Sequence, residues 1–153
     1  GAYSGEGKDA ELSKGAQHFL ARNAELLEQF KAADRVIIAM PMHNFTVTSR
    51  LKDYLDNIIV PGQTFQYTRE GPQGLMGGHK ALLVQSSGSV YSTGPLAPWE
   101  QSYPFLQTAF GMLGFDSTDI VRAEGTMDPH IGPDVAVERA CAELEQKLPE
   151  FLA

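Results

Sequence analysis

Arg35-Val-Ile-Ile-Ala-Met40 is a short, unbroken apolar run rich in β-branched residues, closed by Pro41. A run of that kind reads as a strand buried on both faces, as in a parallel sheet. Lys80-Ala-Leu-Leu-Val-Gln85 repeats the pattern, and Asp119-Ile-Val-Arg122 is a less apolar third version expected at a sheet edge. Between these runs the period changes to 3.6. Residues 9–33 carry Leu12, Ala16, Phe19, Leu20, Leu26, Leu27 and Phe30 at helical spacing. Residues 49–60 carry Leu51, Tyr54, Leu55, Ile58 and Ile59, with Thr48 or Ser49 as N-cap and Pro61-Gly62 as stop. A third helix is expected over 99–113, stopped by a left-handed Gly114. A fourth starts with Pro133 at N1 and carries Val135, Val137, Ala140, Cys141, Leu144 and Leu148 inward. Residues 63–79 differ: Thr64-Phe-Gln-Tyr-Thr68 alternates with period 2, and Gly71-Pro72 and Gly77-Gly78 are turn signals, so a small hairpin is expected on the rim. Strands alternating with helices predict one α/β domain over 1–153, an open parallel sheet with helices on both faces.

Composition narrows the function. The chain has 153 residues, a net charge of −7 and no Lys/Arg cluster, which argues against a nucleic-acid partner. No apolar run approaches the ~20 residues that span a membrane, and the first residues do not read as a signal peptide. With Cys141 as its one cysteine, the chain has no internal disulfide. A cytoplasmic protein that handles a small molecule is expected.

Open α/β sheets bind ligands beyond the carboxyl ends of their strands. Here those ends carry Pro41-Met42-His43-Asn44-Phe45 and Ser86-Ser87-Gly88-Ser89-Val90-Tyr91. Both set small polar groups and free backbone N–H groups beside aromatic or thioether side chains, which suits a flat conjugated ligand with polar edges. Plainer readings exist for single residues. His43 alone fits a loop histidine bonded to backbone, and no neighbour at ligand spacing makes it a metal ligand. Ser86 and Ser87 lack the nucleophile-elbow glycines and read as turn serines. Phe65 and Tyr67 fit cross-strand packing as well as a ligand role, and Cys141 fits the core.

Taken together, Pro41-Met-His-Asn-Phe45, Leu51-Lys-Asp-Tyr-Leu-Asp56, Gly62-Gln-Thr-Phe-Gln-Tyr-Thr68, Gly71-Pro-Gln-Gly-Leu75, Ser86-Ser-Gly-Ser89, Gly94-Pro95, Phe110-Gly-Met-Leu-Gly114 and Ala123-Glu124-Gly125 resemble the FMN-dependent NADH-azoreductase and NAD(P)H:quinone oxidoreductase family. The resemblance covers nearly all of the chain after residue 20. It implies a flavodoxin-like fold and FMN as cofactor. Met42, His43, Asn44 and Phe45 would line the flavin ring, and Ser86, Ser87, Gly88 and Ser89 would wrap its pyrimidine side. Tyr67, Tyr91 and Met112 would meet the substrate, with the hairpin reaching the partner's site in a homodimer. The implied reaction is a ping-pong transfer of two electrons from NADH or NADPH to a quinone or azo compound, with no catalytic side chain and no metal. A flavin-binding or electron-carrier module without its own NADH reaction, or an inactive fragment, is the competing reading. The pattern departs from the family at His43, Ser87 and Ser89, where Tyr or Trp, Arg and Gly are common. A flavodoxin-like domain also has a strand, a phosphate loop, a helix and a second strand ahead of the run at 35–40. None is read here, so the 153 residues are expected to be the later part of a longer protein.

Overall fold

The structure, a computed structural model, describes residues 13–153. In chain order the elements are α1 (Lys14–Ala32), β1 (Arg35–Pro41), α2 (Ser49–Ile58), β2 (Phe65–Thr68), β3 (Gly71–Gly74), β4 (Lys80–Ser87), α3 (Ser102–Leu113), β5 (Ser117–Glu124) and α4 (Gly132–Leu152). A single 3-10 turn, Ala97–Trp99, precedes α3. β1, β4 and β5 form a parallel sheet in that spatial order, and β2 pairs antiparallel with β3. The register sets Pro41 beside Ser86 and Ser87 beside Glu124, so the three strands end level. That alignment gathers the loops after them at one rim.

β4 is the central strand, and its side chains divide between two cores. Ala81 and Leu83 join Leu55 and Ile58 of α2 and Leu106, Phe110 and Leu113 of α3. Leu82 joins Val121 of β5 and Ala140 and Phe151 of α4. Period-2 alternation thus puts helices on both faces. Phe30, at the end of α1, stacks on Phe115 with ring centroids 5.8 Å apart, which ties α1 to the first core.

β1 is not covered on both faces as its apolar run predicts. It is an edge strand, and α4 covers β4 and β5 only, so Ile37 is 56% exposed and Ala39 is exposed too. The same lack of a neighbour leaves Phe19 and Leu20 of α1 on the surface. Residues 9–12 of the expected first helix lie outside the described residues. On α4 the buried positions are Ala136, Ala140 and Phe151, with Leu144 and Leu148 packed beside them. Val137 and Cys141 face outward, because the helix meets the sheet about one residue off the expected stripe. The helix begins at Gly132, so Pro133 sits one residue inside it.

Caps explain the helix boundaries. Thr48 Oγ1 accepts from the Leu51 N–H at 3.3 Å and starts α2. The buried Thr64 hydroxyl donates to the Ile58 carbonyl at 2.8 Å and accepts from the Val60 N–H at 3.0 Å, ending α2 earlier than its apolar pattern suggests. Glu100 Oε1 accepts from the N–H groups of Ser102 and Tyr103, at 2.8 and 3.0 Å, so α3 starts at Ser102. Gly114, with φ 87°, stops it in the left-handed conformation expected.

The hairpin is bolted to the far end of α3. The Met76 N–H donates to the Leu113 carbonyl at 2.9 Å. A Cβ on Gly74 would lie 2.2 Å from the backbone of Leu113 and Gly114, so two main chains touch there and only glycine fits. Gly71, with φ 119°, meets open space. Gly74→Ala is therefore expected to cost more than about 2 kcal/mol, because backbone must move. Gly71→Ala is expected to cost about 1 kcal/mol, from its φ alone. Chemical denaturation of the two variants checks the order; equal losses would contradict this packing.

Candidate functional site

The loop after β1 is built as a two-residue turn. The His43 N–H donates to the Thr46 carbonyl and the Thr46 N–H to the His43 carbonyl, both at 3.0 Å. Asn44 and Phe45 between them have φ 45° and 72°. Two consecutive positive φ values define a type I′ turn, which suits Asn at its first position and normally Gly at its second. A phenylalanine there is strained. The Gln101 N–H, just before α3, donates to the Phe45 carbonyl at 2.8 Å and holds the turn down. Phe45's ring meets Trp99 edge-on at 5.3 Å and Tyr91 at 6.3 Å, forming an aromatic wall.

The loop after β4 has a one-sided hydrogen-bond pattern. The carbonyls of Ser87, Gly88 and Ser89 accept from the N–H groups of Thr126, Met127 and Gly125, at 3.1, 2.9 and 3.2 Å. The Thr126 hydroxyl adds a bond to the Ser87 carbonyl at 3.1 Å, and the Ser87 hydroxyl donates to the Ser89 carbonyl at 2.9 Å. In a planar trans peptide the N–H points opposite to the C=O. The N–H groups of Gly88, Ser89 and Val90 therefore point away from residues 125–127. Among the described residues none of these three N–H groups has a hydrogen-bond partner. Three aligned donors without an acceptor make a site for an electron-rich ligand edge.

Met42, Asn44, Phe45, Ser87, Gly88 and Tyr91 line one open cleft of about 200 Å³. That volume takes the edge of a planar ligand rather than a whole one. Of the residues expected here from sequence, His43, Ser86 and Ser89 stand around this cleft without lining it. His43 opens onto a larger cavity of about 510 Å³ on the other side of the turn, with Thr46, Val47, Lys52 and Phe105. Ser86 contributes its carbonyl, which accepts from the Met42 N–H at 2.8 Å and locks the two loops together. Tyr91 lies in the cleft wall, but Tyr67 and Met112 do not reach it. α3 starts at this rim and runs 12 residues, about 18 Å, to the amino ends of the strands. Met112 and the hairpin lie at that far end. Phe65 is buried in the core, and Tyr67, packed edge-on to it at 5.2 Å, is 74% exposed.

Below the cleft, Gln85 is buried and its amide donates to the Ser102 hydroxyl at 2.9 Å. Its Oε1 has no partner. Arg122, beside Gln85 in the sheet, lays its guanidinium over the Tyr103 ring at 5.4 Å. The Tyr103 hydroxyl donates to the Thr118 carbonyl at 2.8 Å. Burial first, then the charge of Asp119, raises the Tyr103 pKa, so this polar layer stays protonated and fixed at neutral pH.

Sequence reasoning missed Val90's N–H, Trp99, Met127 and Glu124. A lone strand-end carboxylate followed by Gly125 was the only available signal for the last. Met127 sits over Gly88, where a Cβ would come within 3.1 Å of its sulfur. The strain at Phe45 has a direct test. Phe45→Gly and Phe45→Ala both lose the ring contacts, but only glycine relieves φ 72°. Phe45→Gly is expected to be the more stable by about 1 kcal/mol, reversing the usual ranking of the two residues. Thermal unfolding of both variants measures it.

A family model described as flavodoxin-like fold matches residues 5–148. The FMN-dependent NADH:quinone oxidoreductase 1 of Lactiplantibacillus plantarum is 40% identical over 154 residues, spanning 99% of this chain and 72% of the relative. The protein of the same name from Bacillus anthracis is 37% identical, spanning 95% of this chain and 66% of the relative. A crystal structure of an FMN-dependent NADH-azoreductase from Bacillus anthracis, in complex with FMN, superposes with a TM-score of 0.85 at 36% identity. It covers 92% of this chain and 66% of the other. The chain thus spans roughly two thirds of the length of these proteins. With its parallel sheet, rim loops and hairpin shared across that span, the chain belongs to the flavodoxin-like family that holds the FMN-dependent NADH:quinone oxidoreductases and NADH-azoreductases.

Proposed function

We propose that this chain binds the ring of FMN in the cleft between Asn44 and Tyr91 and serves an NAD(P)H-dependent reduction of quinones or azo compounds. The observation that carries the reading is the row of unpartnered N–H groups at Gly88, Ser89 and Val90 beside an aromatic wall. The residues present fit a flavin. Its pyrimidine edge is rich in acceptors, which the three donors match, and its ring is flat and apolar, which Phe45, Tyr91 and Met42 match. The relatives' names, with FMN and NADH in them, support the same assignment.

When bound, FMN supplies the redox chemistry, taking two electrons from a nicotinamide and passing them to the acceptor. The protein's residues do the rest. The N–H groups of Gly88, Ser89 and Val90 stabilise negative charge at the ring's N1–O2 edge, with no reorganisation because the carbonyls behind them are already bonded. Asn44, at the tip of the strained turn, offers both a donor and an acceptor to the polar edge. Met42 and the backbone of His43 support the ring from β1. Ser86, Ser87 and Ser89 hold the facing loop in shape. Substrate stacks on the open side against Tyr91. No side chain is assigned as acid or base.

Tyr67 and Met112 reach a ring only in another subunit's cleft, so the proposal includes a homodimer. The exposed Tyr67 at the tip of a hairpin with an otherwise buried root supports it. A cytoplasmic location accords with NAD(P)H as donor and with the exposed free thiol of Cys141. Among the described residues no helix is long and apolar enough to cross a membrane.

The purified intact protein is expected to show flavin absorbance bands and to oxidise NADH with a quinone. Asn44→Ala is expected to weaken FMN by about tenfold, the loss of one to two hydrogen bonds, with the fold unchanged by circular dichroism. Wild-type affinity in that variant would remove Asn44 from the site. Light scattering is expected to give twice the chain mass, and a fully active monomer would leave Tyr67 and Met112 without a role.

A further inference from the structure

Glu124 is the last residue of β5 and sits beside Ser87 in the ladder. Among the described residues it joins no ion pair. Its carboxylate turns instead to the loop after β4. Oε2 accepts from the N–H groups of Tyr91 and Ser92, at 2.8 and 2.9 Å, and Oε1 accepts from the Ser92 hydroxyl. A half-exposed glutamate would ordinarily be left to water. Three donors from two consecutive residues converging on one carboxylate are a fixed arrangement, and bonds to a charged acceptor are about twice as strong as neutral ones.

The position of those bonds matters. The Gly88–Ser92 segment is tied at its near end by the main-chain bonds to residues 125–127 and at its far end by Glu124. Between the two ties lie the free N–H groups of Gly88, Ser89 and Val90 and the ring of Tyr91, which lines the cleft. Residues 88–93 form no helix or strand of their own. Without the far tie, only Tyr91's edge-on contact with Phe45 would limit the segment's movement.

We propose that Glu124 is a positioning residue: its carboxylate latches the Gly88–Ser92 segment to the end of β5 and so fixes the donor row and the Tyr91 ring for the ligand. It does not line the cleft itself. The inference rests on the flavin reading for the ligand's identity, but the latch is a property of the chain alone.

Amide hydrogen exchange on the intact protein without flavin separates the two. In Glu124→Gln, one carboxylate oxygen becomes a donor facing donors. The Tyr91 and Ser92 amides are expected to exchange about tenfold or more faster, while those of β4 and α4 keep wild-type rates. Glu124→Asp keeps the charge and is expected to recover part of the protection. Fluorescence titration with FMN is expected to show about tenfold weaker binding in Glu124→Gln, with the Asp variant between it and the wild type. Wild-type protection of Tyr91 and Ser92 in the Gln variant would overturn the latch, as would protection lost uniformly across the protein. Faster loop exchange with unchanged FMN affinity would overturn its role in ligand binding. A wild-type protein that binds no FMN would sink the flavin reading, and the exchange rates would still decide the latch.

Discussion

Three carbonyl groups, those of Ser87, Gly88 and Ser89, are committed to the N–H groups of residues 125–127. Everything the rim can do follows from that commitment. Peptide planarity turns each consumed carbonyl into an N–H aimed the other way. Buried or partly buried N–H groups are seldom left without an acceptor in proteins, so a row of three is a ligand site by default. The arrangement exists only because β4 and β5 end level in a parallel register, Ser87 against Glu124. A slip of the register would move these donors away from the turn at Asn44 and Phe45.

The packing below keeps that register. Central β4 is apolar toward both helical layers, and its alternation leaves one pairing that buries both sides. Close to the rim the core becomes polar, with Gln85 on Ser102 and Arg122 on Tyr103. These residues fix the start of α3, whose Gln101 N–H holds the strained turn. The strain at Phe45 is local and is offset by bonds from three separate segments. The edge strand β1 and its exposed Ile37 contribute least to this frame.

How much was legible in the sequence differs by element. The two strongly apolar strands, α2 with its Thr48 cap, the hairpin and the left-handed Gly114 were legible, because each rests on a local pattern or a single residue's conformational preference. The two rim loops were legible as ligand-facing, since strand order and strand ends suffice for that. The burial of β1 was misread because an apolar run does not tell whether a neighbour exists to cover it. The face of α4 was misread because Val137 and Cys141 are apolar enough to suit either side, and helix rotation is set by contacts with Leu82 and Val121.

By itself the sequence determined the alternation of strands and helices, the place of the rim loops and the residue types on them, including Asn44, Phe45, Gly88 and Tyr91. Local periodicity and backbone preference are written residue by residue, so no tertiary information is needed to read them. Only the tertiary structure decided which N–H groups stay free, that Glu124 closes on Tyr91 and Ser92, and that Tyr67 and Met112 lie at the far end from the cleft. Those features join residues more than 30 positions apart, or compare the two ends of one helix. They depend on register and helix direction, which exist only once the sheet has formed.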